Sequence, residues 1–249
     1  MSSIKVVILC GGKGTRLGST GLSVPKGLLD IGGSPILWHL MKFYAQHGLT
    51  EFILCVGHLG DMIRTYFVQN PISGCNIIVA DTGEETQTGG RLLAVKDLLK
   101  DEAEFCVTYG DGLSDANITN MLAYHRHHGK IATLAAVHPR NNFGIIELNA
   151  DSCVTAFDEK PMMKEWVNGG FFIFKSQILD YVDGNTALER SPFERLAALG
   201  ELVAYQHHGF WKCMDTYKEN LEFNQLWECN EAPWKIWDTC DNQTMKESR

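Results

Sequence analysis

A glycine-rich loop that also carries basic residues follows the first apolar run of the chain. Its sequence is Gly11-Gly12-Lys13-Gly14-Thr15-Arg16-Leu17, directly after the run 5–10. Glycines in such a turn let backbone amides approach phosphate oxygens, and the lysine, threonine and arginine would help to bind an anion. Lys26 could bring a further cation to the same loop. The pattern fits neither the Walker spacing nor the GxGxxG fingerprint, so a plain strand-to-helix turn with solvated cations explains the glycines equally well.

Two aspartates have the chemistry of a divalent-metal site. Asp111 lies between two glycines just past the apolar run 105–109, and Asp215 lies within Met214-Asp215-Thr216. Mg²⁺ commonly binds one or two carboxylates and completes its shell with phosphate oxygens and water, so a pair far apart in sequence is sufficient. Each residue also has a simpler interpretation. Asp111 could be an ordinary turn residue, and Asp215 could cap a helix that begins at Tyr217.

These residues need a scaffold, and the first half of the chain predicts one. Apolar, β-branched runs that are typical of buried parallel strands alternate with amphipathic stretches that favour helices. Parallel neighbours need crossover connections, so this alternation predicts a doubly wound, Rossmann-like α/β fold with a mostly parallel sheet. The predicted strands are 5–10, 51–56, 77–80 and 105–109, and the predicted helices are 34–48, 61–67 and 90–99.

Helix caps and the rhythm of the second half complete the predicted fold. Ser34 precedes Pro35 in the position of an N-cap, and Ser191-Pro192-Phe193-Glu194 has the pattern of a capping box. We expect one domain over residues 1–237 and a polar, frayed tail over 238–249. Closely spaced runs predict added strands, some of them antiparallel, that extend the same sheet at 132–137, 144–148, 154–157 and 170–174.

Composition limits the classes of function. The 249 residues carry 22 basic and 30 acidic side chains, a formal net charge of −8, and 45% of them are apolar. A chain of this length can bury one large core without disulfides, and its acidic balance argues against a nucleic acid or a membrane surface as the partner. The 8 cysteines stand singly without a CxxC pair, and we find no signal peptide, so we expect reduced thiols in a cytoplasmic protein.

Further short motifs follow one another along the chain. They are Pro25-Lys26, the segment 31–39, Asp81-Thr82-Gly83, Thr88-Gly89-Gly90-Arg91-Leu92, and the segments 108–112, 157–161, 168–172, 209–211, 214–216 and 232–235. Together with the glycine-rich loop, this set resembles the sugar-1-phosphate nucleotidylyltransferases, and within that family the glucose-1-phosphate cytidylyltransferases. The loop alone would indicate only the superfamily, whereas the ordered set is highly specific and reaches nearly to Trp237.

The resemblance implies a reaction and its substrates. It implies Mg²⁺-dependent transfer of a cytidylyl group from CTP to a sugar 1-phosphate, most simply glucose 1-phosphate, with release of pyrophosphate. Arg16 would face the departing pyrophosphate, Lys26 the α-phosphate and Lys160 the sugar phosphate. Asp111 and Asp215 would hold the ion. A homo-oligomer is the implied assembly.

The same resemblance implies two binding sites. The Thr88–Arg91 turn would read the base at a helix start, and Asn168 would hydrogen-bond the sugar hydroxyls. Neither Lys160 nor Asn168 requires a ligand. Lys160 could be an exposed lysine at the end of a strand, and Asn168 could belong to a plain hairpin turn. The implied nucleotide site comprises Leu9, Gly11, Gly12, Gly14, Thr15, Arg16, Lys26, Thr88, Gly89, Arg91, Tyr109 and Asp111. The implied sugar site comprises Gly144, Glu159, Lys160, Asn168 and Gly169.

Two features depart from the family pattern. Lys26 is followed by Gly27 where the family usually has proline, and the stretch between Phe67 and Asp81 is shorter than in the CDP-glucose enzymes. Another sugar 1-phosphate or another triphosphate, dTTP or UTP, is therefore the alternative. A non-catalytic, nucleotide-binding regulatory subunit of the same fold is a further one. Such a subunit has no reason to keep all five residues Arg16, Lys26, Asp111, Lys160 and Asp215, which disfavours it.

Overall fold

The computed structural model describes residues 4–14 and 23–237. Thr15, Arg16 and the predicted tail 238–249 lie outside the described residues. The first half contains strands β1 (Lys5–Leu9), β2 (Asp30–Ile31), β3 (Ser34–Pro35), β4 (Glu51–Val56), β5 (Asn76–Asp81), β6 (Glu104–Tyr109) and β7 (Gly112–Ser114). Its helices are α1 (Ile36–Gln46), α2 (Gly60–Gln69), α3 (Thr88–Ala94) and α4 (Ile118–His128), with short 3₁₀ turns at Lys26–Leu28 and Lys96–Leu98.

The second half adds strands and two helices. The strands are β8 (Ala132–Val137), β9 (Ile145–Leu148), β10 (Val154–Asp158), β11 (Val167–Lys175), β12 (Leu202–Gln206) and β13 (Trp211–Cys213). The helices are α5 (Ser191–Ala198) and α6 (Tyr217–Glu228), with a 3₁₀ helix at Ser176–Tyr181.

Seven strands form the central sheet, in the order β12-β8-β11-β6-β1-β4-β5. β11 runs antiparallel to both of its neighbours, and the other neighbouring pairs are parallel. The predicted doubly wound, mostly parallel sheet with antiparallel additions is thus confirmed. Because every strand except β11 points the same way, their carboxyl ends share one edge, and β11 begins at that edge.

The central strands of the sheet are buried on both faces because they carry apolar side chains on both faces. Val6 and Ile8 of β1 face a core under α1, α2, α4 and α6, whereas Val7 and Leu9 face a second core under α3 and α5. Side chains alternate across a strand, so a run without polar residues can serve two apolar layers at once. This two-sided burial fixes the position of the strand ends that form the site.

Two predicted helix caps are wrong in detail. Ser34 does not cap α1: Ser34 and Pro35 form β3, paired with β2, and the residue before the helix is Pro35, with no side-chain cap. Ser191 is already helical in α5, and Arg190 precedes it without a side-chain cap. In both places the fixed φ angle of proline is compatible with a helix start. Backbone carbonyls of neighbouring residues accept hydrogen bonds from the first N–H groups.

The strands β9 and β10 do not extend the central sheet as predicted. They pair only with each other, in antiparallel register, and form a separate two-stranded ribbon whose residues are all exposed. The reason lies in β11, which pairs with β6 on one side and β8 on the other, while β12 covers the far side of β8. Both sides of β8 and of β11, the two strands that the ribbon connects, are therefore already paired.

Two further observations concern the described part of the chain. None of its helices combines the length and the apolar character that crossing a bilayer requires. The cysteines at 10, 55, 75, 106, 153, 213 and 229 are all free thiols.

Candidate active site

A cavity of about 450 Å³ opens at the carboxyl edge of the sheet. β1 and β6 end side by side there, with Leu9 paired to Tyr109 and the Gly110 N–H donating to the Leu9 carbonyl at 3.0 Å. Open α/β sheets bind ligands in this position. The cavity is lined by Leu9, Cys10, Gly11, Gly12, Gly14, Lys26, Gly27, Thr86, Gln87, Thr88, Arg91, Tyr109, Gly110, Asp111 and Asp215.

The side chain of Lys26 lies between two carboxylates in this cavity. Its Nζ donates to Oδ2 of Asp111 and to Oδ1 of Asp215, at 2.7 Å in each case. Burial alone would lower the pKa of Lys26, but the two carboxylates outweigh it, and the pKa lies above its ordinary value. The two aspartates that the sequence separates by about a hundred residues thus converge on one positive charge.

A short strand pair, β7 with β13, brings the two aspartates together. β7 pairs antiparallel with β13, so that Gly112 lies opposite Cys213, and the Met214 N–H donates to the carbonyl of Asp111 at 2.8 Å. Both aspartates lie at the same end of this strand pair. The alternative in which Asp215 caps the following helix is wrong, because Thr216 is the N-cap of α6 and forms a capping box with Glu219.

Arg91 is buried beneath the glycine-rich loop. Its Nη1 donates to the Val56 carbonyl at 3.0 Å and to Oγ1 of Thr82 at 2.6 Å. Its Nη2 donates to the carbonyls of Gly11 at 2.9 Å and Glu84 at 3.3 Å. Burial lowers the pKa of Arg91 from its ordinary value.

This packing explains the glycine at position 11. A β-carbon on Gly11 would lie 2.0 Å from Nη1 of Arg91, so only glycine lets the loop rest on the guanidinium. We expected Arg91 to bind nucleotide directly. It lines the cavity, but its terminal nitrogens are directed at protein oxygens, and its visible role is to hold the loop in place.

A segment from the second half is hydrogen-bonded to the N-cap and first turn of α3. We call residues 183–190 the strap. The N–H groups of Gly89 and Gly90 donate to the carbonyl of Thr186, at 2.9 and 3.2 Å, and the N–H of Gln87 donates to Oδ1 of Asn185 at 2.6 Å. These three backbone donors therefore point at protein.

The role expected for Gly89 needs correction. It does not line the cavity, and its N–H cannot read a base while it is bonded to Thr186. A β-carbon on Gly89 would lie 2.5 Å from the Thr186 carbonyl, and one on Gly90 would lie 2.7 Å from Oδ1 of Asn185. The glycine pair makes room for the strap. Thr88, between the turn and the cavity, keeps its predicted position as a lining residue.

The residues of the implied sugar site lie outside this cavity. Lys160 has a side chain that is 46% exposed and a positive φ of 51°, and it pairs with its neighbour Glu159 at 3.5 Å. Gly144 lies under the ring of Phe157 and next to Glu159. These three residues belong to the exposed ribbon and its flanks.

Asn168 and Gly169 lie at the start of β11, at the edge of the sheet that carries the cavity. Oδ1 of Asn168 accepts from the Gly170 N–H at 2.9 Å, and the Gly169 carbonyl accepts from Nε1 of Trp211 at 2.6 Å. A β-carbon on Gly170 would lie 2.4 Å from the ring of Tyr109. The start of β11 therefore adjoins the cavity through Tyr109.

Sequence reasoning missed two groups of residues. Cys10, Gly27, Thr86 and Gly110 line the cavity and could have been found, because each adjoins or lies close to a predicted residue. The strap had no signal in the sequence, because its partners are about a hundred residues away.

Comparisons with known proteins identify the class. A family model described as nucleotidyl transferase matches residues 5–212. This chain belongs to the nucleotidyl transferase family and is a nucleotidyltransferase enzyme.

Individual relatives support the resemblance found in the sequence. The chain is 39% identical over 258 residues to the glucose-1-phosphate cytidylyltransferase of Salmonella typhimurium, covering 94% of this chain and 100% of that protein. It is 40% identical over 256 residues to a Bacillus subtilis protein named "Probable glucose-1-phosphate cytidylyltransferase", with the same coverage. The crystal structure of HddC from Yersinia pseudotuberculosis has the same fold, with a TM-score of 0.70 at 23% identity over 90% of this chain and 99% of HddC.

Proposed function

We propose that this enzyme transfers the cytidylyl group of CTP to a sugar 1-phosphate, glucose 1-phosphate in the first place, and releases pyrophosphate. The observation that carries the proposal is the position of Lys26, which is held between Asp111 and Asp215 beside a glycine-rich loop. Cations, carboxylates and backbone amides gathered in one cavity suit the positioning and charge neutralisation that phosphoryl chemistry needs.

The reaction needs no covalent enzyme intermediate. A phosphate oxygen of the sugar 1-phosphate forms a bond to the α-phosphorus of the triphosphate, and the bond from that phosphorus to the bridging oxygen of the β-phosphate breaks. The electron pair leaves with pyrophosphate. We assign Lys26 to the α-phosphate, Lys160 to the sugar phosphate and Arg16 to the departing pyrophosphate. Gly11, Gly12 and Gly14 would hold the triphosphate, with Thr15 outside the described residues.

The pair Asp111 and Asp215 fits a Mg²⁺ ion. Both supply carboxylate oxygens, the donors that this ion prefers, and in this structure both already bind one cation, the ammonium of Lys26. A bound Mg²⁺ would neutralise charge on the phosphates. Lys26, on the same wall of the cavity, would supply a positive charge to the α-phosphate.

The choice of CTP is supported by the names of the two curated relatives, each about 40% identical to this chain. Thr86, Gln87 and Thr88, at the start of α3, line the cavity, whereas the backbone donors of Gln87, Gly89 and Gly90 are bonded to the strap. We therefore assign base recognition to side chains of this turn. Self-association into a homo-oligomer is a further part of the proposal, and light scattering at several concentrations tests it.

Pyrophosphate release across a grid of triphosphates and sugar 1-phosphates tests the function. We expect CTP with α-D-glucose 1-phosphate to give the highest rate. A rate with dTTP or UTP about tenfold above that with CTP, equivalent to about 1.4 kcal/mol of transition-state stabilisation, would overturn the base assignment and leave the reaction class intact. No pyrophosphate from any pair would contradict the reaction class itself.

A further inference from the structure

The side chain of Glu189, on the strap, joins two walls of the nucleotide cavity. Its Oε2 accepts a hydrogen bond from Oγ1 of Thr88 at 2.7 Å, and its Oε1 accepts one from the hydroxyl of Tyr109. Thr88 and Tyr109 both line the cavity, one at the start of α3 and the other at the end of β6. One carboxylate therefore holds two separate walls at a fixed distance.

On the side of Thr88, the hydrogen bonds run toward this carboxylate. Oγ1 of Thr88 accepts from the N–H of Leu188 at 2.8 Å and donates its own proton to Glu189. The hydroxyl thus has a single orientation, set from the strap on both sides. The start of α3 is held by the same strap through the backbone of Gly89.

On the side of Tyr109, the phenol donates its proton to this carboxylate. The ring of Tyr109 packs against Gly170, where a β-carbon would lie 2.4 Å from it. The Gly170 N–H donates to Oδ1 of Asn168 at 2.9 Å, so the position of the ring fixes the backbone that orients this amide. Burial first, and Glu189 next, raise the pKa of Tyr109 far above its ordinary value, so the phenol keeps its proton.

We propose that Glu189 is a positioning residue that sets both substrate surfaces at once, the nucleotide wall through Thr88 and the Asn168 amide through Tyr109. The inference rests on the proposed function, since it places the nucleotide in this cavity and the sugar beside Asn168. Glu189 acts through its two hydroxyl partners and contacts neither substrate. A neutral amide in its place would keep the shape but could accept only through one oxygen, so one of the two hydroxyls would lose its acceptor.

The first experiment compares Glu189→Gln with a control on the same strap, Asp183→Asn. The Asp183 carboxylate is paired with Arg195 at 3.1 Å, so this control also removes one negative charge from the strap. The dissociation constant of CTP, measured by calorimetry without sugar phosphate, and the KM of the sugar 1-phosphate are the readouts. We expect Glu189→Gln to weaken both by roughly tenfold, the value of one charge-assisted hydrogen bond, with a smaller change in kcat. Asp183→Asn should leave both constants unchanged.

Two further variants separate the two sides of the carboxylate and keep the proposal testable if Glu189→Gln folds poorly. Thr88→Val should weaken CTP more than the sugar 1-phosphate, and Tyr109→Phe should do the reverse. Adding Glu189→Gln to either should cause little further loss for the substrate already affected.

The outcomes against the proposal are distinct. Glu189→Gln that matches Asp183→Asn in both constants, or that lowers only the unfolding temperature, overturns it, as do Thr88→Val and Tyr109→Phe variants with wild-type affinities. A wild-type protein that binds no nucleotide contradicts the proposed function instead.

Discussion

The two lysines that we assign to phosphates lie in different surroundings. The side chain of Lys26 is 16% exposed and is bonded to two carboxylates, whereas that of Lys160 is 46% exposed and pairs with its own neighbour in sequence. A cation held in a wall of the core is positioned before any substrate arrives. An exposed cation keeps its side-chain entropy until a substrate binds it, and part of the binding free energy is spent on ordering it.

The scaffolds of the two regions differ in the same way. The proposed nucleotide region, which is the cavity at the ends of β1 and β6, stands on strands that are buried between two apolar layers. The ribbon that leads to Lys160 is exposed along both of its strands. An isolated two-stranded hairpin is marginally stable in water. The fold therefore preorganises the proposed nucleotide region, whereas we expect the order of the proposed sugar region to depend on what binds to it.

The largest effect that we expect is at the aspartates of the nucleotide region. If Asp111 and Asp215 hold one ion, Asp111→Ala and Asp215→Ala should each slow pyrophosphate release roughly 100- to 1,000-fold, the loss seen when one preorganised charge-stabilising group is removed. The double variant should be no slower than either single one, because residues that act as a unit are strongly non-additive.

An exposed aspartate supplies the matched control for this pair. Asp101→Ala should keep the wild-type rate, since the residue lies on the surface after the 3₁₀ turn Lys96–Leu98. Single-variant losses that multiply in the double variant would show that Asp111 and Asp215 act independently. Asp215 would then need a role other than sharing an ion.

A smaller and more selective effect is expected in the sugar region. Lys160→Ala should weaken the sugar 1-phosphate about 10- to 100-fold, equivalent to about 1.5–3 kcal/mol for a charge-assisted bond, and leave CTP binding unchanged. Titration of each substrate separately measures the difference. Lys164→Ala, an exposed lysine on the same segment, is the control. Equal losses for both substrates would place Lys160 in the nucleotide region and break the comparison.

The smallest effect concerns the apolar side of the ribbon. Phe157 lies opposite Ile146 and is 65% exposed, so Phe157→Ala should change the free energy of unfolding by no more than about 0.5 kcal/mol. Phe174, fully buried in β11, supplies the contrast: Phe174→Ala should cost about 3–5 kcal/mol. Chemical denaturation measures both. A cost above about 2 kcal/mol at Phe157 would show that another surface covers the ribbon in solution even without a substrate.

Local sequence was enough to predict the four first-half strands of the central sheet and most of the helices. The runs 51–56 and 132–137 were predicted with their exact bounds, because apolar periodicity and turn residues act within a few positions of one another. Strands β2, β3, β7, β12 and β13 were not predicted. β7 and β13 have three residues each, and their stability comes from each other across about a hundred residues.

The candidate site could be predicted where residues with suitable chemistry lie close in sequence to predicted strands. The glycine-rich loop, Lys26 and Asp111 follow strands whose carboxyl ends must meet, so their convergence could be expected from the sequence. The role of the glycine pair after Thr88 could not, because its neighbour, the carbonyl of Thr186, belongs to a distant strap. The pattern indicated a special turn there but not what occupies the space beside it.

The amino-acid sequence by itself determined that the first-half strands of the central sheet are parallel, the edge at which the site lies and the types of residue that the site contains. Only the tertiary structure decided which donors stay available there. The N–H groups beside Thr88 and the guanidinium of Arg91 are bonded to protein oxygens, and Glu189 holds Thr88 and Tyr109 together. The physical reason is that periodicity and propensity act over a few residues, whereas a buried polar group bonds to whichever partner the packed layers bring within reach.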